Sequence, residues 1–522
     1  MAKRFGESLQ RYKLPEFIPE WGAIQRGIEK ESLRISSEGQ VSTGSHPKAL
    51  GSALTNPYIT TDFSEALLEF ITPAFQDINE CLAILENIHR YTLQNLENDE
   101  MFWVSSMPCP QNADSEIPIA QYGVSNIGRL KTLYREGLNH RYGNLMQIIA
   151  GLHYNFSLPE CFWEPYQAMC KHTGSLQDFR TEKYLHLIRN FHRYSWLLIY
   201  LFGASPAACK CFVEGRKHNL QEFDEHTLYL PHATCLRMGG LGYRSDAQKS
   251  LFVCYNELET YVECLHKAMH TPYAKYEEIG QKEEGRYLQM NTSLLQLENE
   301  FYSTIRPKRN VKSGERPLEA LTNKGIEYVE VRALDLNPYE PLGIDAEQIR
   351  FLDTFLLHCL LAESGQCNEQ EFFEIGSNLT KVVEQGRDPQ LVLNFESSSI
   401  LMQEWASELM DDLAHSASIM DHIHGEEKYT TSLKNQNNKI ENPELTPSGR
   451  MLSEMKEKQL SFFEFSIKQS RIQRDLLGVG SLEADANRHM QEISAASILR
   501  QKEIEDADTL SFDEFLKQWN EF

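Results

Sequence analysis

The stretch "RGIEKESLR", residues 26–34, sets Glu29 and Glu31 two positions apart between apolar neighbours. In an extended strand both carboxylates leave the same face. Other short runs carry comparable sets. "GLHYNFSL" (151–158) puts His153, Asn155 and Ser157 on one face and Leu152, Tyr154 and Phe156 on the other. "GIEYVEVRALDL" (325–336) groups Glu330 and Arg332 with Tyr328. "TTDFSEALLEF" supplies Asp62, Glu65 and Glu69. These three acids also fit one helix face, but the β-rich "FIT" end favours an extended reading of 67–72. One such strand is ordinary, because antiparallel sheets often have a solvated face. Several of them, each short and largely apolar, predict a cavity lined by carboxylates, a histidine, an amide and an arginine.

Electrostatics limit what that cavity holds. Two carboxylates 4 Å apart repel by about 1 kcal/mol in water and about 4 kcal/mol at an effective dielectric of ~20. Five or six cannot all stay ionised without cations. Oxygen-rich ligand sets select hard ions, so Mg2+ is expected, and a single histidine leaves Mn2+ open. Such ions beside an arginine suit phosphoryl transfer, with the guanidinium forked onto the transferred group. The sequence contains no G-x-x-x-x-G-K-[ST] loop and no G-x-G-x-x-G in a βαβ unit. A bound nucleotide is therefore expected to use neither familiar glycine loop.

The elements that position these residues follow from periodicity. A helix is expected over 78–97 with Asp77 as its cap, another over 125–150, and a long one over about 181–202. Residues 345–522 read as almost wholly helical and acidic. The expected class is α+β: a mostly antiparallel sheet with helices packed outside and a helical C-terminal third. We expect one large catalytic unit over 1–522, with the active-site sheet in 22–340 and a supporting helical portion in 345–522.

The bulk numbers bound the partners. The chain has 522 residues, 41% of them apolar, and a formal charge of −24. That balance argues against a nucleic-acid or basic membrane-facing surface. "WLLIYLFGASPAAC" (196–209) is too short for a membrane span and reads as a buried helix and its exit. "MAKRFGESLQRYKLPEF" lacks the apolar core of a secretory leader. The eleven cysteines form no C-x-x-C arrangement. Free thiols in a cytoplasmic protein are expected.

Longer blocks then add a resemblance. "IQRGIEKESLR", "HPKALGSALTNPYITTDFSEALLEFITP", "AQYGVSNIGRLKTLYREGLNHRYGNLMQ", "GLHYNFSLP", "YLFGASPA", "LENEFYSTIRPKR" and "GIEYVEVRALDLNP" occur in this order. They resemble the proteobacterial type of glutamate–cysteine ligase, also called γ-glutamylcysteine synthetase. The resemblance runs from about residue 22 to about 340 and fades after 365. It implies a funnel-like sheet of the glutamine-synthetase type. It also implies ATP-dependent joining of the γ-carboxylate of L-glutamate to the amine of L-cysteine through a γ-glutamyl phosphate, the first step of glutathione biosynthesis. The matching metal ligands are Glu29, Glu31, Asp62, Glu69, His153 and Glu330. The matching phosphate-contacting catalytic residue is Arg332. Tyr134, Arg135, Gln147, Asn155, Arg237 and Tyr243 fall on the amino-acid pocket. One departure is "MGGLGY", where the family more often has an acidic residue before "LGY". The implied partners are small molecules alone, with no nucleic acid or membrane, for a monomeric protein. Two alternatives stay open: a related ligase with another amine acceptor, and a catalytically silent nucleotide or amino-acid sensor on the same fold.

Overall fold

The computed structural model describes residues 23–521 except 98, 111–113, 243–245, 249–250, 312–314, 396–397 and 481. Among the described residues, β1 (Gln25–Ile35), β2 (Ile59–Thr61), β3 (Leu67–Ile71), β4 (Met101–Trp103), β5 (Leu152–Ser157), β6 (Ile305–Lys308) and β7 (Tyr328–Leu334) share one sheet. The order is β6-β7-β5-β1-β3-β2, with β4 on the end of β1, and every pairing is antiparallel. The extended reading of 67–72 holds as β3.

Strand alternation explains why this sheet forms. Ile28, Leu68, Phe70, Leu152, Tyr154, Phe156, Val329 and Val331 share one face and are 0% exposed. Helices α1 (Ile78–Gln94), α4 (Leu176–Tyr194) and α6 (Ala346–Leu361) cover that face, so the polar sets point the other way. A buried ion pair fixes the stack: Arg26 of β1 donates to Asp353 of α6 at 2.7 Å, and both side chains are almost fully enclosed. The Tyr154 hydroxyl donates to the other Asp353 oxygen at 2.6 Å. Tyr429 of α7 (Lys428–Glu441) accepts from the same arginine at 3.3 Å.

Asp77 caps α1 as expected, accepting from the Asn79 and Glu80 amides. The helix expected over 125–150 is two, α2 (Asn126–Tyr142) and α3 (Asn144–Gln147). Gly143 lies between them at φ 81°, a conformation that favours glycine and ends a helix. The long helix starts earlier than 181, at Leu176, because Ser175 caps it. It yields at Ser195 to the fully buried α5 (Trp196–Phe202). Within 345–522 the chain is mostly helical, but β8 (Val392–Phe395) and β9 (Ser398–Leu401) form a hairpin there.

The free-thiol expectation is corrected. Cys109 and Cys209 are joined, with Cα atoms 5.5 Å apart, and the other nine cysteines are free. The loop after β4 meets a short strand, Ala207–Cys209, that lies a hundred residues away in sequence. Cysteine spacing carries no signal of that meeting. Among the described residues no helix is long and apolar enough to cross a membrane.

The last helices, α8 (Ala484–Ala507) and α9 (Phe512–Asn520), fold back onto the first half of the chain. The Ser497 hydroxyl accepts from the Ser52 amide at 2.9 Å, and Glu505 accepts from the Val124 amide at 3.1 Å. Phe512 and Leu516 pack on Leu130 and Leu133 of α2.

Candidate active site

Strand register assembles the site. Glu29 stands opposite His153 on β5, Glu31 opposite Glu69 on β3, and Glu330 between Asn155 and Arg306. Five separated strands thus deliver their polar faces to one side of the sheet. His153 sits at the centre. Its Nδ1 lies 3.5 Å from Glu29 and 3.6 Å from Glu330, and its Nε2 lies 3.6 Å from Glu31. The Arg332 guanidinium is 3.2 Å from Glu330 and 3.4 Å from His153 Nδ1. Asn155 donates to Glu29 at 2.8 Å, and the Gly151 amide donates to Glu31 at 2.5 Å.

Glu29, Glu31, Asp62, Glu69, Tyr134, Arg135, Gln147, Glu330 and Arg332 line a single cavity of about 770 Å³. His153 and Asn155 lie in its floor beside Glu29. Arg237 is off the lining and buried behind Arg332. It pairs with Asp335 at 2.7 Å and donates to the Arg332 carbonyl at 3.3 Å. Tyr243 lies outside the described residues. Glu65 turns away, accepting from the His46 and Gln121 backbone amides.

Sequence reasoning missed several lining residues. Arg306 and Lys308 on β6 face the cavity, and Lys308 lies 3.5 Å from Glu330. Their spacing of two in "IRPK" repeats that of Glu330 and Arg332 and was the available signal. Lys131, Tyr302 and, from α8 and α9, Arg500, Ile504 and Trp519 also line it. The C-terminal helices therefore wall the cavity as well as supporting the sheet.

The acids are divided by their surroundings. Burial, then Asp62, pushes Glu31 up to about 8. Burial and the neighbouring Glu29, Asp62 and Glu31 push Glu69 well above the usual range. Burial also acts against charge on Glu330, but Lys308, Arg332 and His153 outweigh it and hold that acid well down. Burial and Arg332 lower His153 below the usual imidazole value.

A hard cation fits this set. Glu29, Glu69 and His153 each bring one ligand atom within 4.8 Å of the others. Among the described residues one buried Glu330 oxygen has no hydrogen-bond partner, with the Lys308 ammonium 3.5 Å from it. Carboxylates crowded to the point of holding protons are poised to exchange them for a divalent ion.

This arrangement has a measurable consequence for the metal-free protein. Between pH ~4.5 and ~8 the folded state keeps a proton on Glu31 that the unfolded chain has lost, and Glu69 is shifted in the same direction. The contribution of these two acids to the unfolding free energy should therefore fall as pH rises through that window, by about 2–5 kcal/mol, against the opposite contribution of buried histidines held below their usual value, such as His46, His192 and His358. Glu29 and Glu330 are shifted down, so their contributions change below this window. Chemical denaturation from pH 5 to pH 8 of the wild type against a Glu31→Gln, Glu69→Gln double variant isolates that contribution, and saturating Mg2+ should remove it from the wild type.

An antiparallel sheet that aims acids, a histidine and an arginine into one cavity, with neither glycine loop, suits an enzyme of metal-assisted phosphoryl transfer. A family model described as glutamate-cysteine ligase matches residues 13–382. The chain is 48% identical over 501 residues to the glutamate–cysteine ligase of Alcanivorax borkumensis, covering 95% of each. It is 49% identical over 504 residues to that of Saccharophagus degradans, covering 95% of this chain and 94% of the relative. A crystal structure of glutamate–cysteine ligase from Francisella tularensis in complex with AMP superposes with a TM-score of 0.90 at 36% identity, over 96% of this chain and 98% of that one. A bifunctional glutathione synthetase from Pasteurella multocida shares the fold at a TM-score of 0.71 and 24% identity, over 90% of this chain and 55% of that one. The chain belongs to the glutamate–cysteine ligase family. The likeness does not fade at residue 365, since these relatives match through the helical portion as well.

Proposed function

We infer that the chain joins the γ-carboxylate of L-glutamate to the amine of L-cysteine at the expense of ATP, giving γ-glutamylcysteine, the first step of glutathione biosynthesis. One observation carries this reading: a chain of this family brings Glu29, Glu31, Glu69, His153, Glu330 and Arg332 together on one sheet face.

A carboxylate is a poor electrophile, so the reaction needs activation. ATP transfers its γ-phosphoryl group to the glutamate side chain, the cysteine amine attacks the acyl phosphate, and the tetrahedral intermediate expels phosphate. Mg2+, or Mn2+ in its place, held by Glu29, Glu31, Asp62, Glu69, His153 and Glu330, would neutralise the ATP phosphates. Arg332 places its guanidinium against charge on the transferred group in both steps. Lys308 and Arg306 extend the same cationic wall. Tyr134, Arg135, Gln147, Asn155, Arg237 and Tyr243 form the amino-acid pocket in this reading. Arg237 acts from behind the floor, where Asp335 fixes its fork. We read the sheet as a funnel of the glutamine-synthetase type, and the chain as a monomeric cytoplasmic unit in which the helical portion completes the pocket.

The deciding experiment is ADP release measured with glutamate and cysteine together and singly. Release that depends on both supports the reading, and release indifferent to cysteine overturns it. A panel of amines then tests the alternative acceptor. Glu29→Gln should raise the Mg2+ concentration for half-maximal rate by about tenfold or more, since one charged ligand is worth about 1.5–3 kcal/mol. An unchanged Mg2+ titration would remove Glu29 from the metal set.

A further inference from the structure

We propose that Cys211 is a thiol–disulfide exchange site, through which small alkyl thiols open and close the buried Cys109–Cys209 bridge. None of the three sulfurs lines the cavity, so the proposal stands independently of the ligase reading.

The fold brings the three together from two places. Cys109 follows β4, Cys209 ends the strand Ala207–Cys209, and Cys211 lies two residues on, in the short helix Lys210–Val213. Their Sγ atoms all lie within 4.8 Å of one another. The Cys211 thiol donates to the Pro110 carbonyl at 3.2 Å, which holds its sulfur beside the residue that follows Cys109. Cys109 is 7% and Cys209 3% exposed, whereas Cys211 is exposed. Exchange needs a thiolate to reach a sulfur, so access decides which one a thiol in solution meets. It meets Cys211 and not the bridge.

An exposed cysteine alone is ordinary, and Cys161 and Cys170 are exposed too. Among the described residues neither of those belongs to a cluster of converging ligand atoms. Cys211 differs in having a disulfide beside it. Partial burial of its sulfur pushes the thiol up and Glu214 adds to that, while the Cys211 and Phe212 backbone amides act the other way. Exchange therefore waits on ionisation, and the thiolate that forms is a strong nucleophile.

The steps balance. The Cys211 thiolate attacks Cys109 Sγ, a Cys211–Cys109 bond forms, and the Cys109–Cys209 bond breaks. The electron pair stays on Cys209, which takes up the proton that Cys211 gave up. A small thiolate then attacks the Cys211 sulfur from solvent, forming a mixed disulfide there and releasing Cys109 as a thiolate. A second small thiolate removes the first as a symmetrical disulfide and restores Cys211. The net change turns one bridge and two small thiols into two protein thiols and one small disulfide, and the reverse rebuilds the bridge.

The bridge ties two segments that support the sheet from behind the cavity. Ser106, just before Cys109, accepts from the Leu336 amide at 2.8 Å and, through its carbonyl, from the Ala150 amide at 3.0 Å. Ahead of Cys209, the Ala204 amide and the Ser205 hydroxyl donate to Asp335, the partner of Arg237. Exchange at Cys211 thus decides whether these two segments are joined, without touching a group that lines the cavity.

Full-length wild type, Cys211→Ser, Cys209→Ser and the control Cys161→Ser are oxidised with 2-hydroxyethyl disulfide and then exposed to 2-mercaptoethanol. Acid and N-ethylmaleimide stop the reaction, and peptide mass spectrometry maps the sulfur pairs. Wild type should lose the Cys109–Cys209 bridge about tenfold or more faster than Cys211→Ser and carry a mercaptoethanol adduct on Cys211. Cys161→Ser should match wild type. Cys209→Ser should form a Cys109–Cys211 bond during oxidation. Equal rates in wild type and Cys211→Ser overturn the proposal. So does the absence of a Cys109–Cys211 bond in Cys209→Ser, or of the Cys109–Cys209 bridge in oxidised wild type. Circular dichroism establishes that each variant is folded, and alanine replaces serine at a position where it is not.

Discussion

Arg332→Ala is expected to lower turnover by about 100- to 1,000-fold and leave the fold intact. The magnitude is that of removing one preorganised charge contact to a transition state, about 3–4 kcal/mol. The preorganisation is visible. Arg332 leaves β7 where the pairing with β5 shifts register, its amide donates to the Thr304 carbonyl at 2.8 Å, and its guanidinium is set between Glu330 and His153. The sheet should survive, because those strand contacts are made by the backbone and Lys308 still faces Glu330. Steady-state rates at saturating substrates, with circular dichroism on the same samples, check it. A rate within threefold of wild type would take Arg332 out of the phosphoryl-transfer step.

The second large effect is on stability. Asp353→Ala should destabilise the protein by about 3–5 kcal/mol, because it leaves the Arg26 guanidinium buried without its counter-charge. Arg26 is 1% and Asp353 0% exposed, so water cannot compensate. The Tyr154 hydroxyl loses its acceptor at the same time. The paired change Arg26→Met with Asp353→Leu should recover most of the loss, since two apolar groups of similar bulk need no partner. Denaturant unfolding of the single and double variants checks both. Equal destabilisation by the two would show that packing, not the stranded charge, sets the cost.

The acid-bearing strands were legible because period-two alternation is a local property. It predicted β3, the faces of β5 and β7, and the pairing of Glu29 with Glu31 on one side. The residues it missed depend on distant contacts. Lys131 reads as an ordinary polar position of α2 until Tyr122 and the cavity stand beside it. Trp519 gives no sign of its role, because only the return of α9 brings it to the cavity. Arg237 was expected at the pocket, and its capture by Asp335 follows from a fold-back between residues 98 positions apart. Helix ends were misread where one residue decides them. Gly143 divides 125–150, and Ser175 moves a helix start five residues upstream of 181–202.

The docking of α8 and α9 has a consequence for synthesis on the ribosome. All seven strands of the sheet have been translated once residue 334 is made, yet Arg500, Ile504 and Trp519 are still to come. A nascent chain can thus assemble its carboxylate floor early while the mouth of the cavity stays open. Catalytic competence should appear late in elongation, when the returning helices latch onto Ser52 and Val124.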